Sequence, residues 1–281
     1  MIFHAADRGI VNAVAPSVPH PGLQLSARPG HEVRSYRELL KKVAALSYHN
    51  SRFRLLFRGQ SEDHMVNSKG GPGVHSSLFP SILRQSGQKD RVIELNKRFS
   101  RLAAAEEKLK ESFAIREIHQ DRIVRWAILQ HYEIVPTPLL DVTLSVQSAL
   151  SFALAEGRDE GYLFILAFPQ LTGPISVSIE SMTQVIDLTQ VCPPEALRPH
   201  FQSGVLVCDY PVVDSRESSH GKKGMLGNNF SCRLLGKLKL TNCRMWVDEG
   251  FVSTRSDILF PDSYDEWFPM LSKIKQYIQA I

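Results

Sequence analysis

The order of apolar and polar positions divides the chain into segments with two different periods. "SYRE" at Ser35–Glu38 sets a capping serine three residues ahead of a glutamate, which predicts a helix running to about His49. "FRLLF" at 53–57 is a short apolar run of strand type. Residues 61–76 contain three glycines and a proline and predict a mobile loop. From Asp90 to Phe113 the spacing is helical, with Val92, Leu95, Phe99 and Leu102 on one face. Asp121 opens a further helix, "RIVRWAILQHY", which the turn "EIVPTP" closes. "LLDVT" at 139–143 reads as a strand, and Ser145 caps the helix "VQSALSFALAE". "GYLFILAF" at 161–168 is the clearest strand, "FQSGVLVCDY" at 201–210 is another, and a Gly-, Ser- and Lys-rich loop covers 214–229. "RLLGKLKL" and a final helix, "SYDEWFPMLSKIKQYIQAI", end the pattern. Helices dominate the first half and strands the second. This predicts an α+β fold with mixed or antiparallel sheets, in a single domain over 31–281, after a Pro- and small-residue-rich extended arm over 1–30.

Composition narrows the function classes. Among 281 residues, 33 basic and 29 acidic side chains leave a net charge of +4. A protein whose main work is gripping a nucleic-acid backbone usually shows a sharper bias, although a local basic patch can hide within such an average. The first residues lack the basic-then-apolar order of a signal peptide, and no apolar run approaches the ~20 residues of a membrane span. A cytoplasmic protein without a membrane partner is expected. Cys192, Cys208, Cys232 and Cys243 form no Cys-x-x-Cys pair and have no histidine at metal spacing, so reduced thiols and no metal are expected. Neither a P-loop nor a Gly-x-Ser-x-Gly elbow is present, and "GKKG" at 221–224 lacks the P-loop spacing.

Four stretches carry a family resemblance: "FRG" at 57–59, "PSILR" at 80–84, "LQHYEIVPTPLLDVTLSVQSALSFA" at 129–153 and "FPD" at 260–262. Over about residues 50–265 the chain resembles the FRG domain. It departs from the family pattern at Glu133 (family Gly), Pro138 (family Arg) and Val142 (family Trp), and it is one residue longer between Tyr132 and Pro136. A second likeness, in motif order, is to arginine-type mono-ADP-ribosyltransferases. "FRG" stands at their aromatic-Arg-Gly, Asp141 and Thr143 at their Ser-Thr-Ser strand, "ALSFA" at their Ala-x-x-Phe helix, and Gln202 where a catalytic glutamate is expected.

The second resemblance implies an ADP-ribosyltransferase-like cleft with NAD as co-substrate. Cleaving the nicotinamide–ribose bond passes through an oxocarbenium-like cation, which a carboxylate stabilises. An arginine fork grips the pyrophosphate. On that reading Gln202, Asp141 and Thr143 are the candidate catalytic residues. Arg58, Gly59, Gln60, His131, Tyr132 and Arg84 are the candidate NAD-binding residues, with Gly59 letting the backbone come close. The enzyme would be a transferase or an NAD-cleaving toxin of bacterial antiphage conflict, acting on a protein or nucleic-acid target and working with a partner chain in a defence system. The alternative is a nucleotide- or RNA-binding sensor module without catalysis, in which Arg58 pairs structurally with Asp141. His131 as a helix-end histidine and Thr143 as a helix cap are the structural alternatives at those positions.

Overall fold

The computed structural model describes residues 21–67, 74–84, 91–170, 172–212 and 229–281. Its helices are α1 Pro21–Ala27, α2 Tyr36–His49, α3 Arg91–Ser112, α4 Arg116–Gln120, α5 Arg122–His131, α6 Val146–Ala153, α7 Leu188–Val191 and α8 Leu197–Gln202, followed by Ser256–Leu259 and a C-terminal helix, Phe268–Gln279. Its strands are β1 His31–Val33, β2 Phe53–Gln60, β3 Met65–Asn67, β4 Val74–Ser76, β5 Leu140–Thr143, β6 Gly161–Pro169, β7 Ile175–Ser178, β8 Thr183–Asp187, β9 Gly204–Asp209 and β10 Leu234–Leu240. The α+β expectation holds. The chain forms two compact units: one from the described residues of Met1–Leu78, Thr143–Gln170 and Asn229–Ser256, the other from those of Phe79–Val142, Leu171–Asn228 and Asp257–Ile281.

Several elements differ from their sequence expectation. Within the expected extended arm, Pro21–Ala27 is helical, while residues 1–20 lie outside the described residues. The expected loop over 61–76 contains a hairpin, with Val66 opposite His75, and residues 68–73 between its strands are outside the described residues. "GKKG" and residues 214–228 of the Gly/Ser/Lys loop also lie outside them. Phe201 and Gln202 end helix α8 instead of opening a strand. Ser203 turns the chain in a left-handed conformation (φ 49°), and the strand starts at Gly204. The C-terminal helix begins at Phe268, where Pro269 suits the first turn of a helix but not its interior.

In the first unit, a mixed sheet is built around β6. β10 and β2 flank it in antiparallel pairing, β1 runs parallel to β10, and Phe57 of β2 pairs with Thr143 of β5. Successive side chains of β2 alternate between faces. Phe57 faces the core shared with Ala149, Leu150 and Ala153 of α6. Gly59, two positions on, lies against the same helix, where a methyl group would meet the Ala149 carbonyl oxygen at 1.7 Å and its carbon at 2.7 Å. Gly161 stands in the same relation to Ala153, at 2.7 Å from its carbonyl oxygen. Small residues on both helix and sheet therefore allow backbone-to-backbone packing. A fully buried Lys237 fastens α1 to the sheet: its ammonium donates to the carbonyls of Ser26 (3.0 Å) and Arg28 (2.8 Å) and pairs with Asp63.

In the second unit, α5 is buried almost all round, with Val124, Trp126, Ala127, Ile128 and Leu129 in a core shared with α3 and the C-terminal helix. Arg125 and Glu106 are buried together at 3.2 Å, and Arg122 adds a second contact to Glu106 at 3.2 Å. β8 lies between β7 and β9 in antiparallel pairing. Sequence periodicity missed β8 because Thr183 and Gln184 are buried polar residues that break its apolar pattern.

Candidate functional site

The site is built where α5 ends. After His131, Tyr132 closes the helix and Glu133 adopts φ 56°, in the left-handed region. Ile134 N then donates to Leu129 O at 2.9 Å, and the chain turns back toward β5. This explains why the FRG pattern has glycine at Glu133's position, since a residue with a Cβ is strained there.

Six residues from two of the four motif stretches, 80–84 and 129–153, converge there. The Gln130 side-chain oxygen accepts from Ser81 Oγ at 2.5 Å, Thr137 Oγ1 at 3.0 Å and Thr137 N at 3.2 Å. These donors fix the amide orientation, so Gln130 Nε2 is turned to Asp141 and donates to its Oδ2 at 3.0 Å. His131 Nδ1 lies 3.0 Å from Asp141 Oδ1. The imidazole is buried, with its side chain 4% exposed, whereas the Asp141 side chain is 30% exposed. Asp141 is thus half-buried, less so than its apolar neighbours in "LLDV" suggest, and its carboxylate is held in place while still reached by solvent. Arg84 follows the short helical turn Ser81–Leu83, which Thr137 O ties down by accepting from Ile82 N at 3.1 Å. Arg84 is exposed as a residue. Even so, the protein packed against its guanidinium lowers its pKa, and the negative charge of Asp141 acts against that shift. The result is a cation and an oriented anion within electrostatic reach of each other, both accessible.

The other candidates are placed as follows. Tyr132 is buried and donates its hydroxyl to Asp265 Oδ2 at 2.6 Å; burial, and then this bond, push its pKa far up. Gln202 is buried at the end of α8 and donates from Nε2 to Leu259 O at 2.7 Å. Arg58, Gly59, Gln60 and Thr143 belong to the first unit. There Arg58 and Gln60 are half-buried on β2, opposite Phe164 and Tyr162. Buried Thr143 accepts from Ser145 N at 2.9 Å, just ahead of the α6 cap, where Ser145 accepts from Ser148 N at 3.1 Å. Among the described residues no group of three or more His, Cys, Asp or Glu side chains could hold a metal ion, and no helix is long and apolar enough to cross a membrane.

Sequence reasoning passed over Arg198, Asp265 and Gly204. Arg198 is buried, donates through NH1 to His131 O at 3.1 Å, and stacks on Phe260 at 4.4 Å. Asp265 accepts from Tyr132 Oη, from Arg198 N (3.0 Å) and from Trp267 N (2.9 Å). The only available signal was Asp265's position three residues past "FPD".

Residues 54–161 match the model of the FRG domain. The matched stretch includes Arg58, Gly59, Ser81, Arg84, Gln130, His131, Thr137 and Asp141, so the FRG resemblance read from those motifs is shown there. Comparisons with curated proteins and with solved structures gave no match.

Proposed function

We propose that the FRG domain of this protein binds NAD or a related nucleotide, and that Asp141 is the carboxylate of an ADP-ribosyltransferase-like site. The observation behind this reading is the state of Asp141: fixed by Gln130 and His131 at 3.0 Å each, yet 30% exposed. A carboxylate oxygen can accept more than one hydrogen bond, so a ribose hydroxyl reaching the solvent side of Asp141 can donate to it. Arg84 donates through Nε to Phe79 O at 3.2 Å, and its NH1 and NH2 groups are the donors for phosphate. In the reaction, the bond between ribose C1′ and the nicotinamide nitrogen breaks, with the electron pair leaving on nicotinamide. The positive charge left on the ribose is met by the Asp141 carboxylate. Water or a target side chain then bonds to C1′ and gives up its proton to solvent. The family resemblance is the basis for proposing a toxin or effector of bacterial conflict as the setting.

One observation favours a second reading, binding without chemistry. The Gln202 amide, at the place of the transferase glutamate, is committed to the Leu259 carbonyl. Titration calorimetry with NAD and ADP-ribose, paired with chromatographic detection of nicotinamide, tests both. Binding that is lost in Arg84→Ala and Asp141→Ala, with nicotinamide released, supports the transferase-type site. Binding without release supports the sensor reading. Failure of the folded wild-type chain to bind either ligand at millimolar concentration overturns both.

A further inference from the structure

His131 is held on three sides, and two of its holders lie outside the FRG match. Its Nδ1 faces Asp141 Oδ1 at 3.0 Å. Arg198 NH1 donates to its carbonyl at 3.1 Å, with the guanidinium stacked on Phe260 at 4.4 Å and over Tyr132 at 5.6 Å. On the third side the ring rests on the backbone of Gly204, the first residue of β9. A methyl group at Gly204 would sit 2.7 Å from Cε1, 3.1 Å from Nε2 and 3.3 Å from Nδ1. Gly204 is not among the glycines with positive φ, so space, not backbone conformation, is what requires glycine there. Nε2 is buried with no hydrogen-bond partner among the described residues. A proton on Nε2 would be a buried donor without an acceptor, which is more costly than a bare ring nitrogen in the same place.

We propose that Gly204 and Arg198 are positioning residues that hold His131 as the Nδ1–H tautomer and thereby set the direction of the Asp141 carboxylate. The proposal deepens the nucleotide-site reading and rests on it for its functional consequence. The backbone hydrogen bond from Arg198 fixes where the imidazole starts, and the Gly204 backbone fixes its plane. Asp141 then receives its hydrogen bond from a group that cannot swing away.

Long-range nitrogen–proton NMR correlations of the histidines, with His131 assigned by its loss in His131→Asn, read the tautomer directly. The wild-type protein at neutral pH is expected to show the Nδ1–H form for His131. Gly204→Ala is expected to shift the His131 signals and to lower the melting temperature by roughly 5 °C or more. Asparagine keeps a donor near the Nδ1 position and removes the ring atoms that residue 204 would strike. Gly204→Ala combined with His131→Asn should therefore melt within about 2 °C of His131→Asn alone, a non-additive result expected only of sites in contact. That double variant decides the matter even where Gly204→Ala alone does not fold. An Nε2–H tautomer in the wild type, an unchanged His131 spectrum in a folded Gly204→Ala, or additive melting losses would each overturn the proposal. If the three expected results hold and NAD still does not bind, the reading of the site as nucleotide-binding fails and the positioning of His131 stands.

Discussion

Replacing Asp141 separates its hydrogen-bonding role from its charge, because the structure assigns each oxygen a different donor. In Asp141→Ala, His131 Nδ1 and Gln130 Nε2 both lose their acceptor. Leaving a buried donor unmet costs about 1–3 kcal/mol. The imidazole is buried, so it stands near the full cost. Gln130 is half-buried and faces a position already 30% exposed, so water recovers part of its share. A total of about 2–4 kcal/mol follows, equivalent to a melting-temperature loss of roughly 5–15 °C for a chain of this size. Asp141→Asn is the sharper probe. Its oxygen can still accept from His131, but its amide nitrogen then points at Gln130 Nε2, donor against donor. Gln130 cannot turn over to relieve this, because Ser81 and Thr137 hold its oxygen. Asp141→Asn should therefore lose about 1–3 kcal/mol despite its matched shape. Thermal denaturation followed by circular dichroism measures both. An Asp141→Asn protein that melts like wild type would show that the Gln130 amide is not fixed as described, and the account of an oriented carboxylate would fail.

Gly59→Ala should prevent α6 from seating on β2, since the added methyl meets the Ala149 carbonyl oxygen at 1.7 Å. A loss of at least about 3 kcal/mol in urea denaturation is expected, and a loss under 1 kcal/mol would contradict the packing. Glu133→Gly relieves a left-handed residue (φ 56°) and should add up to about 1 kcal/mol, a rise of some 2–4 °C on thermal melting, partly offset by the freer unfolded chain. Lys237→Met removes the fully buried cation from a half-buried Asp63 and should cost about 3 kcal/mol, with Asp63→Asn in the same chain recovering part of it. Burial, reinforced by Asp265 and Glu133, raises the pKa of Asp262 in the folded state, so ionising it opposes folding. Asp262→Asn should then match wild type in urea titrations below about pH 4 and become the more stable protein as pH rises toward neutrality.

The parts of the fold that could be read from sequence are those where local chemistry and burial agree. Ser35 caps α2 and Ser145 caps α6 as their positions predict, and β6 is the apolar run it looks to be. What sequence could not give is the contact that overrides local pattern. β8 buries Thr183 and Gln184, so its polar composition hides a strand. Gln202 falls on the helix side of Ser203, a boundary set by one left-handed residue. At the site, "PSILR", "LQHY" and "PTPLLD" were each legible as motifs, but their convergence on the oxygens of Asp141 was not. Arg198 and Gly204 were illegible for a different reason: they act through a backbone carbonyl and through an absent side chain, and neither leaves a mark in residue type.

The motif positions therefore divide by what they still have to offer. Gly59, Ala149 and Ala153 are spent on backbone contact, Glu133 on a turn, Thr143 on the approach to α6, and Tyr132 on Asp265. Gln130 and His131 are spent on Asp141. A residue whose hydrogen-bonding capacity is consumed inside the fold is constrained whether or not the protein binds anything, so its place in a motif says little about ligand. Within the second unit, Asp141 and Arg84 are two motif residues that combine charge with solvent access. They are of opposite sign and act on each other electrostatically. An anionic ligand at Arg84 would weaken that attraction, so binding there gains most when the ligand also brings a hydroxyl donor for Asp141. A phosphate beside a ribose meets that requirement; inorganic phosphate alone does not. The order of affinity expected at this site is therefore ADP-ribose well above phosphate, and an equal response to the two in calorimetry would argue that Arg84 alone holds the ligand.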